Sequence, residues 1–143
     1  MAKVELSRAL SLTPEEAWSH ASNLADLGDW LVMHQGWRGE VPVELTTGLT
    51  LVGVAGAKGF RNRVTWTVRH VEPPRLLEMT GEGVGGTKYA LRMTVSPTAT
   101  GSTFTFKLDL AGRPLFGPIG AAAARAVKGD IERSIQRFEA LYS

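Results

Sequence analysis

The sequence predicts an α+β domain: one antiparallel sheet of about seven strands with a single apolar face, covered by a long C-terminal helix. Three observations carry this. Between residues 41 and 110 apolar residues recur at every second position, the pattern of half-buried strands. The connections between these runs are short, which makes successive strands antiparallel. Near the end, Val127, Ile131, Ile135, Phe138 and Tyr142 follow one another at steps of four and three, one apolar stripe of a helix. No other element is large enough to cover the sheet. All of residues 1–143 fit one domain.

The elements follow in order. Residues 4–12 read as a strand, with Val4, Leu6, Leu10 and Leu12 on one side and Arg8 in the same row. Thr13-Pro14-Glu15-Glu16 is a helix start: Thr13 caps, Pro14 takes the first helical position, and Glu16 completes a capping box. Ala17, Trp18 and Ala21 lie on or near the buried side of that short helix, and residues 23–31 form a second, interrupted or ended near Gly28. Val41, Val43 and Leu45 predict an edge strand, because Pro42 interrupts any ladder. Residues 49–56 form a glycine-containing strand. In 61–71, Val64, Trp66, Val68 and His70 face one way, and Pro73-Pro74 ends the run. Leu77 and Met79 begin the next strand. Tyr89, Leu91, Met93 and Val95, then Phe104, Phe106, Leu108 and Leu110, mark the last two. Pro118 suits the first turn of the long helix, which carries Gly129 inside it.

Composition excludes several classes of chemistry. The chain has no cysteine, so it has no disulfide, thiolate metal site or cysteine nucleophile. Lys3, Glu5 and Arg8 break any apolar signal core at the N-terminus, and no segment is long enough to span a membrane. A cytoplasmic protein is expected. The formal charge of +2 does not argue for an anionic partner. Arg125, Arg133 and Arg137 lie on one helix stripe near Asp130, Glu132 and Glu139. They read as a solvated face, and no nucleic-acid partner is expected. His20, His34 and His70 sit on separate elements without metal-ligand spacing, so no metal is expected.

Residues 81–88, GEGVGGTK, satisfy G-x-G-x-x-G. That fingerprint binds a dinucleotide only between a strand and a helix whose N-terminus meets the phosphate. Here YALRMTV follows, which alternates as another strand. The glycines therefore predict a hairpin connection, and no cofactor is expected.

The order of elements, together with DWLVMHQGWRG (29–39), TGEGVGGTK (80–88), LFGPIG (115–120) and GDI (129–131), resembles the START-like or Bet v 1-like superfamily of polyketide cyclase/dehydrase type. The resemblance covers nearly the whole chain. The same stretches are similar to an actinobacterial branch whose members often carry a toxin label, as halves of toxin–antitoxin pairs. The resemblance implies a helix-grip fold, a curved sheet wrapped around the C-terminal helix. It also implies a cavity between them for apolar or amphipathic ligands. An antitoxin protein is the partner implied by the toxin label.

Trp66, Met79, Met93 and Phe106 lie in the inward rows. Ala121 to Ala124 and Ala126 are the small residues expected opposite them. Such an arrangement either interdigitates into a solid core or leaves room for a guest; the resemblance favours a closed or gated cavity of about a few hundred Å³. Trp30, Met33, His34 and Trp37 are either a packed cap or the lining and gate of that cavity, with Phe116 a second gate. His34 or His70 is the expected polar handle. A cyclase or dehydratase would instead need a positioned proton donor or acceptor, for which His70, Tyr89 and Arg8 are the candidates. Arg8, in an inward row, requires a partner or an escape to water.

Overall fold

Seven strands form one antiparallel sheet in the computed structural model, which describes residues 2–57, 60–112 and 118–143. β1 (Ala2–Leu10) leads into α1 (Pro14–Ala21), a single 3₁₀ turn (Leu24–Asp26) and α2 (Leu27–Trp30). β2 (His34–Arg38), β3 (Thr50–Ala57), β4 (Phe60–Glu72), β5 (Leu76–Gly83), β6 (Lys88–Thr98) and β7 (Gly101–Ala111) follow, then α3 (Pro118–Tyr142). The strand order is β1-β7-β6-β5-β4-β3-β2, every pair antiparallel. Among the described residues no helix is long and apolar enough to cross a membrane.

The alternation works as expected along the centre of the sheet. Met93 pairs with Phe106, Leu91 with Leu108 and Tyr89 with Leu110, and all six are buried. Ile131, Ile135 and Phe138 of α3 are buried as well. Trp30 sits edge-on to Phe104, Phe106 and Phe138, with ring centroids 5.9, 6.0 and 5.1 Å apart. Its place is therefore in the solid core. The capping box forms: Glu16 N donates to Thr13 Oγ1 and Thr13 N to Glu16 Oε1, both at 3.1 Å. His20 of α1 stacks on Tyr142 of α3 at 4.0 Å.

Three expectations are corrected. The predicted strand at Val41, Val43 and Leu45 is a loop. β2 takes the edge of β3, pairing Trp37 with Gly53 and Arg38 with Val52, and residues 41–45 pair with no described strand. Val41 and Leu45 pack against the core and Val43 is fully exposed. His70 does not face inward. The register of β4 shifts between Val68 and His70: Val68 pairs with Met79 and His70 with the next residue, Glu78. Arg69 is the extra residue of a bulge, which inverts the parity beyond it. Val71 turns in and His70 turns out. Finally, Ala121, Ala122 and Ala126 are exposed, and only Ala124 among the described alanines of that stretch packs on the core.

GEGVGGTK divides into two functions of glycine. Gly85 and Gly86 form the β5–β6 turn with φ of 92° and 93°, which a side chain rarely adopts. Gly81 and Gly83 lie inside β5 and leave room for their neighbours. A Cβ at Gly81 would stand 2.7 Å from Val64 Cγ1 and 2.9 Å from Trp66 Cε3. One at Gly83 would collide with Asn62 and approach Tyr89 Cε2 to 3.1 Å.

Candidate functional site

The 3₁₀ turn, α2 and β2 close over the inner face of β3–β7 and enclose an apolar cavity. Leu24, Leu27 and Leu31 descend from the turn-and-helix segment; Met33, His34 and Trp37 come from its continuation into β2. The sheet contributes Trp66, Met79, Met93 and Phe106, with Tyr89, Ala55, Leu91 and Leu108 beside them. All three internal methionines of the chain therefore line it. Among the described residues, none that lines it is charged.

Two tethers hold the covering segment. Val32 N donates to Ser134 Oγ of α3 at 2.9 Å, and Trp37 Nε1 donates to the Leu24 carbonyl at 2.6 Å. The indole polar group is thus already used within the protein.

His34 is buried, at 7% exposure, in a slot made by small residues. A Cβ at Gly53 would stand 3.2 Å from His34 Cε1 and 3.1 Å from Trp37 Cε3. Gly28 faces the same imidazole, where a Cβ would lie 3.7 Å from Cδ2. The His34 and Trp37 rings are 4.4 Å apart. Burial pushes His34 down to about 4, because the apolar surroundings disfavour the charged form; at neutral pH it is uncharged. Among the described residues none bonds its Nε2, which is fully buried. Tyr89 accepts from Asn62 Nδ2 at 3.1 Å, and burial raises its phenol, so it too stays neutral. Its O–H remains able to donate.

The cavity measures about 20 Å³, room for one water molecule. The expected few hundred Å³ is not present in this conformation. The reason is close packing: Trp66 fills the space left by Gly81, and the leucines of the 3₁₀ turn and α2 line the same small space as the methionines of β5 and β6.

The residues anticipated for this site separate accordingly. Met33, His34, Trp37, Trp66, Met79, Met93 and Phe106 border the cavity; Trp30 is core, and Phe116 lies outside the described residues. His70 is exposed and bonds Glu72 at 3.1 Å. Hydrogen bonds from Arg75 and His70 hold the Glu72 carboxyl at about 2. Arg8 reaches Glu139 of α3 at 2.8 Å, half-exposed. Of the three candidates for proton transfer, only Tyr89 borders the cavity, because the bulge and the ion pair take the other two elsewhere. Leu24, Leu27 and Leu31 were missed, although their spacing of three and four is a helical apolar stripe.

Residues 1–142 match the family model described as polyketide cyclase / dehydrase and lipid transport. The chain belongs to this family. Among the polyketide cyclase/dehydrase-type relatives is an uncharacterized protein of Mycobacterium tuberculosis, Rv1546, 54% identical over 99% of both chains. Another from the same organism, named toxin Rv0910, is 39% identical over 100% of this chain and 99% of its own. A START superfamily protein from Mycobacterium smegmatis superposes over 100% of both chains with a TM-score of 0.78 at 14% identity, which shows the shared helix-grip fold.

Proposed function

We propose that the protein binds a small apolar molecule in the cavity beneath α2 and β2, and that the cavity enlarges as the ligand enters. The observation that carries this is the lining: three methionines, no charged residue, and two neutral polar groups, within a fold whose family description includes lipid transport. Methionine side chains have three soft torsions and a polarizable sulfur, so they repack around a guest at low cost. A closed apolar site of this kind opens by selecting a minor conformation. Met33, Trp37 and the leucines of the covering segment, Leu24, Leu27 and Leu31, move; Phe106 and Leu108, fixed in the sheet, form the floor.

Native mass spectrometry of protein purified without detergent tests the reading. We expect a retained small molecule of defined mass, lost on denaturation. A bare mass, with no thermal stabilisation by any of a set of neutral apolar compounds, contradicts it.

A second reading is a toxin restrained by an antitoxin protein. It is favoured by the name of the 39% identical relative. Expression in a mycobacterial host should then slow growth, and co-expression of the product of a neighbouring short reading frame should restore it. Unchanged growth contradicts this reading.

A further inference from the structure

We infer that the ligand is uncharged and carries a hydroxyl-type group that hydrogen-bonds His34 Nε2. This rests on the ligand-binding reading above and specifies its chemistry.

The apolar lining favours any hydrocarbon body, but a buried polar atom without a partner is costly. His34 Nε2 is such an atom, fully buried on a residue that is itself more than nine-tenths buried and borders the cavity. Gly28 and Gly53 leave room for the ring, since a Cβ at either position would touch it. As the cavity enlarges, a group admitted beside His34 restores the missing bond. A hydroxyl can donate or accept, so it satisfies either tautomer of the imidazole.

A carboxylate meets no countercharge there. Among the described lining residues there is no Lys, Arg, Asp or Glu. His34 would have to take a proton to pair with it, against burial that holds it near 4. At pH 7 a proton on His34 is therefore disfavoured, which weakens the binding of a carboxylate. Trp37 Nε1 is already committed to Leu24, and Tyr89 offers one neutral O–H. An ammonium group fares no better without a carboxylate. Charged amphiphiles are excluded by the same wall that accepts an alcohol or phenol.

Three probes of one skeleton separate the possibilities: 1-naphthol, 1-naphthoate and naphthalene, titrated at pH 7 by calorimetry. The expected order places naphthol at least about tenfold tighter than naphthoate, and about fivefold tighter than naphthalene, the size of one neutral hydrogen bond. The ¹⁵N resonance of His34 Nε2 should shift with naphthol and not with naphthalene. In His34→Leu the advantage of naphthol over naphthalene should vanish while naphthalene still binds. Should that variant fail to fold, the wild-type series and the ¹⁵N shift decide alone. Naphthoate binding as tightly as naphthol overturns the inference but leaves the cavity reading intact. Naphthalene matching naphthol removes the role of His34. Binding of none of the three contradicts the ligand-binding reading itself, and the inference with it.

Discussion

The two ends of the inner sheet face are built differently. Toward β1, Trp30 meets Phe104 and Phe138 edge-on, Phe104 and Phe138 lie tilted against each other, and Ile131 and Ile135 of α3 are buried as well. Toward β2, flexible methionines surround a small cavity bordered by His34; among the described residues His34 Nε2 has no hydrogen-bond partner, and neither has Trp30 Nε1 at the other end. Aromatic rings with fixed geometry give one end rigidity. Methionines and glycines give the other adaptability. Stability belongs to the first end, and the proposed recognition to the second.

The largest effect should come from breaking the rigid end. Phe138→Ala removes a fully buried ring and should cost about 3–5 kcal/mol, read from urea denaturation. A loss near that of a surface change would mean that the aromatic cluster is not what holds the fold.

Acid should act on the adaptable end. His34 titrates at about 4 when folded, against 6.5 ordinarily. Between these values the unfolded chain binds more protons, so the contribution is complete above pH 6.5 and is lost as pH falls toward 4. The difference amounts to roughly 3 kcal/mol. Comparing wild type with His34→Gln across this window isolates it; parallel pH profiles would show that His34 is not buried neutral.

Gly81→Ala should cost about 1–3 kcal/mol by overpacking, since Val64 and Trp66 already occupy the space. Its near-ultraviolet circular dichroism should change as Trp66 shifts; an unchanged spectrum and stability would remove Gly81 from the account. Met33→Ala, at a half-buried position of the cavity, should cost about 1 kcal/mol or less, below the range for buried methionines, while altering naphthol affinity. A large loss of stability with unaltered affinity would reverse the assignment of the two ends.

Much of the rigid end was legible in the sequence, because it rests on period-two rows and on the stripe from Val127 to Phe138. The capping box at Thr13 was legible too, being local chemistry. The failures share a cause. His70 was misplaced because a bulge at Arg69 changes parity without any glycine or proline to announce it. The loop at 41–45 alternates like a strand, but alternation alone does not make a ladder, and β2 is the strand that pairs with β3. Trp30 was grouped with Met33, His34 and Trp37 by proximity in the chain, whereas α2 turns it toward Phe138. The cavity volume was beyond sequence, since it is the small remainder between large interlocking side chains. The glycines of GEGVGGTK carried more than a turn: Gly81 and Gly83 are sites of close approach, legible only once Trp66 and Asn62 are known to lie across from them.

The most direct test is to label the methionine methyl groups with ¹³C and titrate 1-naphthol. Met33, Met79 and Met93 line the cavity, and Met1 completes the set of four, so the three internal signals should move together and saturate with one equivalent. Saturation without any shift of Met33, Met79 and Met93, or shifts confined to Met1, would contradict a ligand site at the adaptable end.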